Sequence, residues 1–104
     1  MTTPTKFKLF GQDWTIRTGT ELELDTDLGR CVVDDNLILL NAVQTKTNLH
    51  HTLTHEVIHS IEQKLHLGLT EQQVDLIALG LVDIMTTTPE MINIFGDYNG
   101  KRTK

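Results

Sequence analysis

The chain has 104 residues, nine basic and fourteen acidic side chains and a net charge of −5, enough for one small domain with a single core but not for a separate substrate-binding lobe. Nucleic-acid binding is not expected, because phosphate contacts need clustered Lys and Arg and the basic cluster here is the short tail Lys101, Arg102, Lys104. No apolar run approaches the roughly 20 residues of a membrane span, and the lone Cys31 has no disulfide partner, so a cytoplasmic protein with a buried, inert thiol is expected.

Residues 1–5 are polar and should be loose. Phe7 and Leu9 alternate with Lys6 and Lys8, Gly11-Gln12 offers a turn, and Trp14 and Ile16 resume the alternation, which reads as a hairpin with those four apolar residues on its buried face. Glu21, Glu23, Asp25 and Asp27 then fall at every other position; Leu22, Leu24 and Leu28 anchor what should be a surface loop or an irregular edge. A second hairpin is expected from residues 30–33 and 37–40, which are apolar and flank the turn-forming Asp34-Asp35-Asn36.

A long helix should run from about residue 48 to about 66. Leu53, Val57, Ile61 and Leu65 repeat every four residues with Ile58 beside them, and Gly68 should lie just past its end. Thr70-Glu71-Gln72-Gln73 matches a capping box and opens a second helix. Its apolar positions run nearly all round, so it should be covered by the fold or should cover an oligomeric or other partner. Thr88-Pro89-Glu90 starts a short third helix over 91–95, stopped by Gly96, and residues 97–104 should fray. The whole is an α+β domain: small antiparallel hairpins packed on two main helices, with a short C-terminal helix.

Chemistry is concentrated in His55-Glu56-Val57-Ile58-His59. On a helix the two imidazoles sit one turn apart on one face, a spacing that suits two nitrogen ligands on one Zn²⁺, while Glu56 points where it can reach a water. A helix that is merely His-rich is the alternative, and His50, His51 and His66 lend it some support. Catalytic zinc needs a third protein ligand and an open fourth position. His51 shares the face but would lie about 9 Å along the axis from the metal at 1.5 Å per residue. The second helix offers Glu71 and Asp75, both turned inward by helical geometry; a tight antiparallel pair favours Asp75, whereas a crossed pair favours the longer Glu71, which is preferred. Glu71 could equally serve its helix dipole.

Through these residues the chain resembles the zincin metallopeptidases, in particular the very small HExxH proteins of phages and prophages akin to minimal gluzincins. The resemblance covers about residues 30–86. It implies that His55, His59 and Glu71 bind zinc, with Asp75 as the alternative third ligand, and that Glu56 is the general base. It further implies that an edge strand ahead of the helix aligns an extended peptide, for which residues 37–40 are the candidate. The Gly and third His of metzincins do not follow His59, and no Tyr or His is assigned to the oxyanion. The expected function is zinc-dependent hydrolysis of peptide or amide bonds in a peptide or protein substrate, in the host cytoplasm if phage encoded. The competing expectation is a non-catalytic binding or regulatory protein that acts through the apolar second helix.

Overall fold

A computed structural model describes residues 3–102, with side chains in the last helix as far as residue 96. Four strands, β1 (Lys6–Leu9), β2 (Gln12–Thr18), β3 (Gly29–Val32) and β4 (Leu37–Leu40), and four helices, α1 (Glu21–Leu24), α2 (Lys46–Lys64), α3 (Glu71–Thr87) and α4 (Glu90–Arg102), make up the α+β fold.

Both expected hairpins form, with Phe7 opposite Trp14 and Cys31 opposite Ile38. They do not stack as separate hairpins. β4 pairs in parallel with β2, Ile16 beside Ile38, and the sheet order is β1-β2-β4-β3. Leu37–Leu40 is therefore an interior strand rather than the expected edge, and β3 is the edge on that side. The reason is burial on both faces: Ile38 and Leu40 join Trp14 and Ile16 beneath Leu49, Leu53 and Val57 of α2, while Leu39 is also buried. A strand apolar on both sides belongs in the middle of a sheet.

The acidic segment after β2 is more ordered than a loop. Thr20 caps the single turn α1 through a capping box with Glu23, and Glu23 also pairs with Arg17 at 2.6 Å. That pair, followed by the bond to Thr20, holds the Glu23 carboxyl down to about 2. Of the three expected anchors only Leu24 is buried; Leu22 and Leu28 are exposed.

Helix α2 starts earlier than its periodicity indicates, because the Thr45 hydroxyl accepts from the Asn48 amide. It ends before Gly68. His66 takes the left-handed conformation (φ 54°), and the amides of Leu67 and His66 bond back to the carbonyls of Glu62 and Gln63, a Schellman termination with histidine at the usual glycine position. Thr70 and Gln73 form the expected capping box of α3. Val74 and Ala78 of α3 pack on Ile58 of α2. Much of the rest of α3 is not covered: Val82 and Met85 are half-buried, but Leu76, Ile77 and Leu79 are exposed, as are Ile92, Ile94 and Phe95 of α4. Helix α4 continues through Gly96 to Arg102, past the expected stop; of the ends expected to be loose, residues 1, 2, 103 and 104 lie outside the described residues.

Val74 is fully buried at the α2–α3 contact. Val74→Ala should lower unfolding free energy by about 2 kcal/mol, whereas Leu76→Ala on the exposed face should change it by no more than about 0.5 kcal/mol, as measured by urea denaturation.

Candidate functional site

One helical turn separates His55 from His59, and their rings lie edge to face with centroids 4.8 Å apart. Both rings are mostly buried, and their Nε2 atoms converge on one carboxylate. Glu71 places Oε2 at 3.1 Å from His55 Nε2 and Oε1 within hydrogen-bonding distance of His59 Nε2. Glu71 reaches them from the first turn of α3, where the capping box at Thr70 fixes the start of the helix and Val74, one turn on, fixes its height over α2. Its side chain is 74% exposed, so it lies over the two rings instead of pointing into the core, as the apolar arc of α3 had implied.

Asp75 goes elsewhere. Its Oδ1 accepts from His51 Nε2 at 2.9 Å and lies 3.4 Å from His55 Nδ1, the nitrogen turned away from Glu71. The hydrogen bond from His51, more than charge, holds the Asp75 carboxyl below its ordinary value. His51 thus stays away from the Glu71 carboxylate, in agreement with its reach along the helix, and takes a different part by holding Asp75. Three donor atoms from His55, His59 and Glu71 all lie within 4.8 Å of one another, as do those of His51, His55 and Asp75, so these groups are able to hold a metal ion.

Glu56 is buried on the neighbouring face of α2, and burial pushes its carboxyl up; His55 and His59 pull it down, and Glu71 and Asp27 push it up further. Helix α2 lies unusually close to β3 at this point. A Cβ on Gly29 would come 2.6 Å from Thr52 Cγ2 and 3.2 Å from Glu56 Oε2, so only glycine leaves room for these side chains against the strand. Gln44 ties the same corner together: its amide nitrogen donates to the carbonyls of Leu28 and Asn41, and its Oε1 accepts from the Thr52 hydroxyl at 3.0 Å. Cys31, two residues on in β3, is half-buried, and burial followed by the Glu56 and Glu62 carboxylates raises its thiol to about 12, which keeps it protonated at neutral pH.

Between β3 and the helices opens a cleft of about 620 Å³, lined by Gly29, Arg30, His55, Glu56, His59 and Glu71 among others. That is within the size range of small-ligand sites. Two contributors have no local signature in the sequence: Gly29, whose role depends on a helix more than 20 residues away, and Gln44, in a short connection. The spacing of Glu62 three residues after His59, by contrast, was there to be read.

No protein-family model matches the chain, and no curated protein or solved structure matches it. Among the described residues, no helix is long and apolar enough to cross a membrane.

Two outcomes follow from this packing. Gly29→Ala should cost about 1–3 kcal/mol by overpacking, and adding Thr52→Ser, which removes the obstructing methyl, should recover most of the loss in a double-mutant cycle. A carboxyl raised on folding costs nothing while protonated in both states, below the ordinary value of 4.5, and destabilises progressively as pH rises through its folded value. Metal-free Glu56→Gln should therefore melt at a higher temperature than the parent at pH 7, and the gap should close as the pH is lowered toward 4.5.

Proposed function

We propose that the protein is a zinc-dependent peptidase in which His55, His59 and Glu71 hold the metal and Glu56 is the general base. The observation that carries this reading is the convergence of the two Nε2 atoms and the Glu71 carboxylate at the mouth of a cleft that also contains a buried glutamate. The donor set, two imidazoles and one carboxylate, is one that catalytic zinc uses. Held by these three residues, zinc would supply a Lewis acid that polarises the scissile carbonyl and makes water acidic enough to ionise near neutral pH.

The chain's own residues divide the remaining work. Glu56 accepts the proton of the attacking water and returns it to the leaving amine; its burial, which weakens its preference for the charged form, suits a group that must take up a proton and release it. Asp75 Oδ1 lies 3.4 Å from His55 Nδ1, where it would take that nitrogen's proton as a hydrogen bond once Nε2 is given to the metal, and the hydrogen bond from His51 steadies Asp75 in that role. β3 is the edge strand along the cleft, so an extended peptide would add to β3 rather than to the interior β4, with the scissile bond over Glu56.

A second reading, a non-catalytic binding protein on the same scaffold, draws on a different observation: the uncovered apolar side chains of α3 and α4. Metal content and turnover separate the two. The purified protein should carry about one zinc per chain by elemental analysis and cleave an unstructured fluorogenic peptide mixture. Glu56→Gln should keep the zinc and lower turnover by about 10²–10⁴-fold, and Glu71→Ala should lose both. A zinc-free protein whose melting temperature is indifferent to chelator and to added zinc would favour the binding reading.

A further inference from the structure

Glu62 lies one turn beyond His59 on α2, and its side chain is only 9% exposed. A buried carboxylate is tolerated when donors reach it, and among the described residues the one side-chain donor to Glu62 is His59, whose Nδ1 is 3.3 Å from Oε1. A neutral imidazole carries a single N–H. Both ring nitrogens of His59 face a carboxylate, Nε2 that of Glu71 and Nδ1 that of Glu62, and when a cation takes the Nε2 lone pair the single N–H is left on Nδ1, directed at Glu62. His55 is arranged in the same way, with Nδ1 toward Asp75 and Nε2 toward Glu71.

We propose that Glu62 is a positioning residue for His59, accepting its Nδ1–H so that ring rotation and tautomer are fixed with the Nε2 lone pair presented to the metal. The inference rests on the zinc reading for its purpose but not for its geometry. The two supports differ in origin. Asp75 comes from α3, is largely exposed and depends on the docking of that helix, whereas Glu62 is on the same helix as His59, three residues along, and is enclosed. The Nδ1 side of His59 is thus supported from α2 itself, and that of His55 from the neighbouring helix. A glutamate here also adds negative charge behind the ring, which makes the imidazole a stronger donor to a cation.

The test compares the full chain with Glu62→Leu, which has no acceptor, Glu62→Asp, whose carboxylate is one methylene short of the ring, and Glu62→Gln, which keeps an acceptor oxygen at the same reach. Zinc affinity is measured by competition with a chromogenic chelator, and the His59 Nδ1–H is followed by proton NMR in ¹⁵N-histidine-labelled protein, both metal-free and zinc-loaded. The Nδ1–H resonance should be at low field and exchange slowly in the parent and in Glu62→Gln, and should be lost to exchange in Glu62→Leu and Glu62→Asp. Zinc should bind about 10–100-fold more weakly to Glu62→Leu and Glu62→Asp, and less than tenfold more weakly to Glu62→Gln. Retention of the slowly exchanging proton in both Glu62→Leu and Glu62→Asp would overturn the proposal; if Glu62→Leu does not fold, Glu62→Asp decides alone. A parent chain that binds no zinc would bring down the peptidase reading, while the metal-free resonance would still decide what Glu62 does.

Discussion

The crossing of α3 over α2 is the contact on which the site depends. Ile58 meets Val74 and Ala78 there, and both α3 residues are completely buried. The small Ala78 lets the two helices approach closely, and the capping box at Thr70 determines where α3 begins relative to that contact. Glu71 and Asp75 sit three residues before and one after Val74, so one crossing sends one carboxylate to the Nε2 side of the histidines and the other to the Nδ1 side of His55. A rotation of α3 by one residue, about 100°, would undo both contacts at once.

The electrostatics of this arrangement favour a cation. Glu56, Glu62, Glu71 and Asp75 surround two imidazoles, and the nearest cationic side chain lining the cleft, Arg30, is paired with Asp27 at 2.8 Å. Four carboxyl groups with only histidines among them repel one another unless protons or a metal ion intervene, and the upward push that Glu71 adds to the effect of burial on Glu56 is one expression of that repulsion. The half-buried Cys31 is held protonated, chiefly by burial. The groups that converge here offer nitrogen and oxygen donors to a metal ion.

Much of the local structure was legible in the sequence because its causes are local. The alternation around Phe7 and Trp14, the turn at Asp34-Asp35-Asn36 and the Thr70 capping box each rest on a few neighbouring residues, and each formed as expected. The face shared by His55 and His59 follows from helical periodicity alone. What could not be read were the consequences of distant chain segments meeting. Nothing near residues 37–40 says that β2 will pair with them in parallel, although the absence of polar residues across Leu37–Leu40 does fit an interior strand. Which ring nitrogens Glu71 and Asp75 each approach depends on how α3 packs on α2, which the sequence leaves open. His66 in a left-handed conformation was missed because glycine is the usual sign of such a termination, and here Gly68 stands two residues too late.

The position of β3 at the sheet edge has a consequence for solubility. Among the described residues β3 pairs only with β4, so its other side presents unpaired backbone N–H and C=O groups to the cleft. A free strand edge can pair with any extended chain, including the same strand of another copy, and proteins guard such edges against runaway association. Here the guards are already part of the cleft. β3 is only four residues long, it begins with Gly29 and carries the charged Arg30, and the Glu71 and Asp75 carboxylates overhang the same opening. The same charges that line the cleft thus disfavour pairing of this edge with another sheet.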